Sequence, residues 1–162
     1  MQRFVVEDSA TAATSTMIRR ARPEDCAVIE AIVQAAYSIY IERIGKPPGP
    51  MLDDYARRIA EGVVQVFEED GAVAAIIVLL EKSDHLLLDN IAVRPDLQGH
   101  GLGRTLIAFA EAEARRNGLV ELRLYTHAKM IENIALYTRF GFTETSRGHH
   151  SGYDRVFMSK RV

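Results

Sequence analysis

The sequence predicts an α/β fold of the mixed α+β kind: a twisted, mostly antiparallel sheet of about seven strands with helices on both faces. The order of the predicted elements is the first reason. A strand and two helices are followed by three strands, and only the later strands alternate one to one with helices. The second reason is that turn residues such as Asp70-Gly71, Asn117-Gly118 and Gly141 separate apolar runs of strand or helix length.

The length and composition are those of one globular domain. The chain has 162 residues, of which 48% are hydrophobic and 26% charged, enough to bury a sizeable core. Residues 1–15 are rich in Ser, Thr and Ala and have no period, so they are predicted to form a flexible tail. A single domain is therefore expected over residues 16–162.

The first predicted elements are a strand over Met17 to Ala21 and a helix that ends near Tyr40. The helix begins at Pro23-Glu24-Asp25, where a proline and two acids suit the free amides of a first turn. Residues 45–50 contain three prolines and two glycines and predict a stiff loop that could act as a lid. A short amphipathic helix is expected from Leu52 to about Ala60.

The rest of the chain is predicted to alternate strands and helices. Val63 to Glu69, the turn Asp70-Gly71 and Val73 to Glu81 indicate an antiparallel hairpin. The remaining predictions are a strand from His85 to Val93, a helix with apolar positions Leu102, Leu106, Phe109, Ala110 and Ala114, a strand from Glu121 to Thr126, a helix from Met130 to Phe140, and strands over Phe142 to Thr145 and Tyr153 to Ser159.

Charge and composition argue against several classes of protein. The net charge of -2 and pI near 6.2 provide no basic stripe for nucleic acid, so no nucleic-acid partner is expected. The single cysteine, Cys26, excludes an internal disulfide and a multi-cysteine zinc site, and no metal is expected. The longest apolar run, Ala72 to Leu80, is too short to span a bilayer, and the start lacks a secretory signal. We expect a cytoplasmic protein with no membrane contact.

The segment from Val93 to Arg104 joins a strand directly to a helix and is rich in glycine. Its unpaired amides and the positive end of the helix dipole favour an anion, and glycines let a phosphate approach the backbone. A P-loop needs Lys then Ser or Thr, and a Rossmann fingerprint needs a different glycine spacing, so both fit badly. A structural turn before a helix is the remaining alternative.

The same segment resembles the acetyltransferase pattern Arg/Gln-x-x-Gly-x-Gly/Ala, which Gln98, Gly101 and Gly103 meet just after a strand. Here the chain resembles the GNAT superfamily of acetyl-CoA-dependent N-acyltransferases. The resemblance implies that the main chain of the preceding strand pairs with the pantetheine arm and that the loop holds the pyrophosphate of acetyl-CoA. It also implies that the sheet opens between the fourth and fifth strands. The residues assigned to the cofactor in this way are Ile91, Ala92, Val93, Gln98, Gly99, His100, Gly101, Leu102, Gly103 and Arg104.

A second segment, Asn133-Ile134-Ala135-Leu136-Tyr137 followed by Phe140-Gly141-Phe142, resembles the tyrosine helix of that family. Asn133 and Tyr137 stand four apart and share one helix face. By resemblance, Asn133 binds the pantetheine arm, and Tyr137 contacts the cofactor and acts as general acid. A phenol has an ordinary pKa of about 10 and can protonate a departing thiolate, whose thiol has a pKa of about 8.5.

The group that removes the amine proton is less specific in the sequence. Asp89 stands two residues before Ile91 and faces the same side of its strand, so it is a candidate catalytic residue, although a structural carboxylate fits equally well. Tyr37, Tyr40 and Glu42, with the proline loop and residues 148–153, are candidates for acceptor binding, and so is His127.

The sequence therefore predicts an N-acetyltransferase that moves the acetyl group of acetyl-CoA to a primary amine of a small molecule or peptide. The expected mechanism is direct attack in a ternary complex, and a homodimer is a further expectation from the resemblance. The alternative is a non-catalytic acyl-CoA-binding module of the same fold, acting as a sensor or partner protein. An acetyltransferase acting on charged tRNA would need a basic face that the composition does not provide.

Overall fold

The structure is a computed structural model that describes residues 4–5 and 15–162. The predicted tail, residues 1–15, lies largely outside the described part. Of the tail, residues 4–5 and 15 are described: residues 4–5 form the two-residue strand β1 (Phe4–Val5), which pairs antiparallel with β2 (Thr16–Arg20). The sheet contains all seven predicted strands in addition to β1. The other strands are β3 (Val64–Glu69), β4 (Ala72–Glu81), β5 (Leu86–Val93), β6 (Glu121–His127), β7 (Thr143–His150) and β8 (Tyr153–Arg161).

The strand order of the sheet is β1-β2-β3-β4-β5-β6-β8-β7. The pairs β1–β2, β2–β3, β3–β4, β6–β8 and β7–β8 are antiparallel. The pair β5–β6 is parallel and runs from Leu86 opposite Leu122 to Leu88 opposite Leu124. The pairing ends there, although β6 continues to His127. The predicted mixed sheet, with its opening between the fourth and fifth predicted strands, is confirmed.

The helices differ from their predicted bounds in the first half of the chain. A one-turn 3-10 helix at Pro23–Asp25 leads into α1 (Cys26–Tyr37), and a separate short helix, α2 (Tyr40–Ile44), follows. The expected continuous helix to Tyr40 is therefore wrong, because the chain turns at residues 38–39. Gly45, with a φ of 89°, ends α2 in the left-handed conformation that glycine tolerates.

The proline loop and the following helix also need correction. Gly49–Leu52 forms one turn of 3-10 helix, in which Pro50 occupies a first-turn position that needs no amide donor. The next helix, α3 (Tyr55–Ala60), begins later than predicted because the Asp54 carboxylate accepts a bond of 3.1 Å from the Arg57 amide and caps the first turn. The later helices are α4 (Leu102–Arg116) and α5 (Ile131–Arg139).

The chain divides into two compact units. The first holds the described residues up to Val78 together with Asn90–Leu106, and its core includes side chains of α1, β3 and β4 such as Ile29, Val64 and Ile76. The second holds Leu79–Asp89 and Ile107–Val162, with buried Leu122 and Met158. All five apolar positions predicted for α4 are buried. A single domain over residues 16–162 stays a prediction.

Candidate active site

In the first unit, the strand that leads to the glycine loop is held by a buried hydrogen-bond network. The Tyr37 hydroxyl lies 2.6 Å from Oδ1 of Asn90 and 2.9 Å from the carbonyl oxygen of Ile91, and both are acceptors for its proton. Nδ2 of Asn90 donates to the Tyr55 hydroxyl at 3.0 Å, and that hydroxyl donates to the Pro50 carbonyl at 2.5 Å. Asn90 is 5% exposed, so these bonds satisfy a buried amide and fix the backbone at Ile91.

The glycine loop has the conformation of an anion-binding turn. After a 3-10 turn at Pro95–Leu97, Gly99 and Gly101 take φ values of 81° and 85°, and α4 starts at Leu102. Positive φ at alternate residues points successive amides toward one spot. A Cβ at either glycine would meet nothing within 4 Å, so protein atoms leave the space above both open.

The amides of this loop are available to a ligand. Within the described chain, no protein acceptor takes the N–H groups of residues 99–101. The first amides of α4 are free of helical partners because they open the helix. The Gln98 side chain is bound back to the Val93 carbonyl at 3.3 Å, and His100 and Arg104 are exposed. Open space, free amides and a helix start together fit the pyrophosphate of a nucleotide cofactor.

In the second unit, α5 carries Asn133 and Tyr137, the two polar residues predicted for the site, and both are half-buried on one face of the helix. The Tyr137 ring packs edge-on against Phe142 with centroids 5.8 Å apart, and the Phe142 amide donates to the Tyr137 carbonyl at 3.0 Å. Nδ2 of Asn133 lies 3.6 Å from the sulfur of the buried Met130. Buried residues at both ends therefore hold the helix and limit the freedom of the Tyr137 ring.

Asp89 has a partner that the sequence did not indicate. The Tyr125 hydroxyl donates to Oδ1 of Asp89 at 2.9 Å, and both side chains are half-buried. They occupy the register position just beyond Leu88 and Leu124, where the parallel pairing ends. The sequence shows Tyr125 only as an alternating strand residue, because strand register has no local signature.

The candidate acceptor residues are placed in different ways. The Tyr40 ring is buried and covered by the guanidinium of Arg43, 5.2 Å from its centroid, while Glu42 is exposed on α2. Nδ1 of His127 accepts from the Lys129 amide at 3.0 Å, and its ring lies edge-on to that of Tyr153. The expected acceptor segment, residues 148–153, consists of the ends of β7 and β8 and the two-residue turn between them, and its role in acceptor binding stays a prediction.

Other kinds of site receive no support from the described residues. The Cys26 thiol donates to Oε1 of Glu30 at 3.2 Å, which raises the pKa of the thiol and disfavours the nucleophilic thiolate. No cluster of three or more His, Cys, Asp or Glu side chains in the part described could hold a metal ion. Among the helices described, none combines the length and apolar character needed to cross a membrane.

Known proteins share both the sequence pattern and the fold. The family model of the acetyltransferase (GNAT) family matches residues 29–142. The [ribosomal protein bS18]-alanine N-acetyltransferase of Escherichia coli strain K12 is 37% identical over 78 residues, which are 48% of this chain and 53% of that protein. The matched region thus spans about half the length of that curated relative.

Two solved structures extend the similarity over most of the chain. The Escherichia coli ribosomal-protein-S18-alanine N-acetyltransferase has a TM-score of 0.72 at 25% identity and covers 90% of this chain and 93% of its own. The yncA protein of Salmonella typhimurium, solved with its cofactor acetyl-CoA, has a TM-score of 0.68 at 26% identity. The match covers 93% of this chain and 94% of the yncA protein. Because the family model matches most of the chain and the fold is shared, this chain belongs to the GNAT acetyltransferase family.

Proposed function

We propose that the protein is an N-acetyltransferase that moves the acetyl group of acetyl-CoA to a primary amine of a small molecule or peptide. The observation that carries the proposal is the glycine loop, whose residues 99–101 have free amides and open space at the start of α4. Membership of the family and a relative named for acetylating an alanine of ribosomal protein bS18 support an amine acceptor. The yncA relative supports acetyl-CoA as the donor.

The cofactor roles are assigned to main-chain and polar groups. Residues 91–93 offer the backbone of β5 to the pantetheine arm, and residues 98–104 hold the pyrophosphate through amides and the helix dipole. Asn133 of α5 is assigned to the pantetheine arm by the family pattern. Acetyl-CoA supplies an activated thioester, and the protein supplies orientation and proton transfer.

Two side chains are assigned to proton transfer. The Tyr137 hydroxyl donates a proton to the thiolate that leaves when the amine nitrogen attacks the acetyl carbonyl, and a main-chain amide near residues 91–93 stabilises the negative oxygen. A lysine-like amine with a pKa of about 10.4 requires about 4.6 kcal/mol for deprotonation at pH 7. We assign Asp89 to accept that proton, directly or through water. Among the acceptor candidates, Tyr37 and Tyr40 then act by shaping the site, and the exposed carboxylate of Glu42 and the imidazole of His127 contact the amine.

The test is release of CoA thiol from acetyl-CoA over a panel of primary amines, with Tyr137→Phe beside the wild type. Loss of a general acid should lower kcat by about a hundredfold or more. Binding of acetyl-CoA, measured by calorimetry, should change far less, because the ring and its packing on Phe142 are kept.

Three outcomes of this test are distinct. Transfer that depends on Tyr137 supports the proposal. Transfer that is unchanged in the variant refutes the role of Tyr137 as acid. Binding of acetyl-CoA without transfer to any amine indicates the non-catalytic acyl-CoA-binding module instead. A cytoplasmic location and a homodimer stay predictions, and light scattering at several protein concentrations tests the latter.

A further inference from the structure

The second unit carries a surface made by the outward side chains of three neighbouring strands, half-buried on β6 and β8 and exposed at His150 of β7. On β6 and β8 these residues alternate with buried ones, and Tyr125 stands opposite Phe157 in register. We call this surface the aromatic face. It consists of Tyr125, His127, His150, Tyr153, Arg155 and Phe157.

Ring contacts tie the aromatic face together. The Tyr125 and Phe157 centroids are 6.1 Å apart, and the His150 ring lies edge-on to Phe157 at 5.2 Å. The glycine at position 148 allows the His150 ring to take this position, because a Cβ at Gly148 would lie 2.9 Å from Nε2 of His150. The absence of a side chain at Gly148 also leaves room beside Arg155, its partner in register on β8.

Arg155 is half-buried and yet has no acidic partner, whereas Arg139 and Arg161, the other arginines of the second unit without an ion pair, are exposed. The guanidinium carbon of Arg155 lies 4.2 Å above the Tyr125 ring centroid. Within the described part of the chain Arg155 has neither an ion pair nor a side-chain hydrogen bond. By contrast, Arg123 and Arg147 pair with the acids Glu121 and Glu144. A guanidinium stacked on a ring keeps its N–H donors at the edge, where they match a carboxylate.

The neighbours of Arg155 explain why it lacks an acidic partner. On β8 it is flanked on the same face by Tyr153 and Phe157, and its register partners are His127 and Gly148. The adjacent Asp154 is exposed and bonds to His149 at 2.9 Å. The fold therefore holds a cation against a ring and surrounds it with groups that do not neutralise it.

The same tyrosine joins this cation to the proposed base. The Tyr125 ring carries the guanidinium of Arg155 on its face, and the Tyr125 hydroxyl donates to Asp89. Tyr125 of β6 therefore contacts a negative group, Asp89 of β5, through its hydroxyl and a positive group, Arg155 of β8, through its ring face. An acceptor with an amine and a carboxylate matches that pair.

From this arrangement we infer that the acceptor is an amine that also carries a carboxylate, which Arg155 binds while the amine lies near Asp89. Free ω-amino acids and peptides with an acidic residue near the amino terminus share this chemistry. The inference rests on the proposed function and adds the acceptor class and a specificity residue to it. Arg155 acts on acceptor affinity, so its effect falls on KM for the acceptor and on discrimination between acid and amide.

The experiment compares matched acceptors. Transfer is measured with ω-amino acids of two to six carbons against their amides, and with peptides whose second residue is Asp or Asn. The wild type should prefer the acid form by roughly tenfold to a hundredfold in kcat/KM. In Arg155→Gln the ratio should fall to about one, and Arg155→Lys should restore part of it, because Lys keeps the charge without the planar fork.

Arg161→Gln is the matched control, since Arg161 lies on the same strand and is exposed. Its acid preference should equal that of the wild type, and the melting temperature and the KM for acetyl-CoA of Arg155→Gln should stay at wild-type values. A wild type without acid preference, or a preference that survives in Arg155→Gln, overturns the inference and leaves the proposed transferase in place. Absence of transfer to every acceptor overturns the proposed function, and the inference with it.

Discussion

The proton-accepting role of Asp89 depends on the hydrogen bond that it receives from Tyr125. That bond, 2.9 Å long, orients the carboxylate. A carboxylate in such a place can attract an ammonium group as well as accept its proton, so a structural role and a catalytic role predict different pH behaviour.

For Asp89→Asn we expect kcat/KM for the amine to fall by about a hundredfold at pH 7. The deficit should shrink as the pH approaches the amine pKa of about 10, because the substrate then arrives already neutral. The pH profiles of variant and wild type, measured with one amine, check this. Asp84→Asn changes an exposed acid in the turn before β5 and should leave the profile unaltered. If the loss of kcat/KM in Asp89→Asn is the same at every pH, Asp89 is not the base and its carboxylate has a structural role.

At the scale of single residues, the sequence predicted what depends on local pattern. Gln98, Gly101 and Tyr137 were identifiable because their spacing along the chain is the signal. Tyr125 and Arg155 were not, because their roles follow from the register of three strands. Asn90 gave a weak signal, as the polar residue among the inward positions of β5, which are otherwise apolar.

Among the elements, the glycine loop was predictable from the sequence, whereas the last hairpin was predictable only in part. The loop was predictable because glycines and a strand-to-helix junction are local features. The last hairpin was underestimated, since β7 runs from Thr143 to His150 and is exposed along nearly its whole length. A strand with no buried face has no hydrophobic period, so only the two positive-φ residues of its turn, Ser151 and Gly152, mark its end.

The loop itself supports a prediction with a matched control. Gly101→Glu places a carboxylate where the pyrophosphate is proposed to bind, at a backbone φ of 85°. Gly71→Glu introduces the same side chain at a φ of 81° in the turn between β3 and β4, again with no atom within 4 Å of the new Cβ. Both variants should lose a similar stability, of about 1 to 3 kcal/mol, from backbone strain.

Only the loop variant should lose its response to acetyl-CoA. A ligand at 100 times its dissociation constant adds roughly 2.7 kcal/mol of apparent stability, so the wild type and Gly71→Glu should melt at higher temperature as acetyl-CoA increases. Gly101→Glu should show little shift. Thermal unfolding with and without ligand checks this. An equal shift in all three proteins would place the cofactor elsewhere.

For the molecule as a whole, stability at low pH should depend on one partly buried ion cluster in the first unit. Arg19 of β2, 7% exposed, binds Asp25 through two bonds of 2.8 and 3.1 Å and Glu68 through one of 3.1 Å. The bond from Arg19 lowers the pKa of Asp25 below its ordinary value, and the Arg22 amide lowers it further. The cluster joins the start of the first helical segment to the sheet.

The sign of the pH effect follows from that shift. Because the pKa of Asp25 is lower in the folded than in the unfolded chain, the unfolded chain binds more protons at acid pH. The contribution of Asp25 to stability is complete above the unfolded pKa of about 3.9 and is lost as the pH falls through the folded pKa. Asp25→Asn should therefore reduce the free energy of unfolding by about 2 to 3 kcal/mol at pH 7, since it leaves Arg19 with less compensation.

Urea unfolding at several pH values between 7 and 3 checks this prediction. The wild type should lose stability steeply below about pH 4, and Asp25→Asn should follow a shallower curve, because the group that titrates is absent. Glu61→Gln, which removes an exposed partner of Arg57, should change stability by less than about 1 kcal/mol and keep the wild-type slope. If Asp25→Asn and the wild type fall in parallel, the acid sensitivity arises from other carboxylates, and the cluster stabilises the fold by packing and geometry alone.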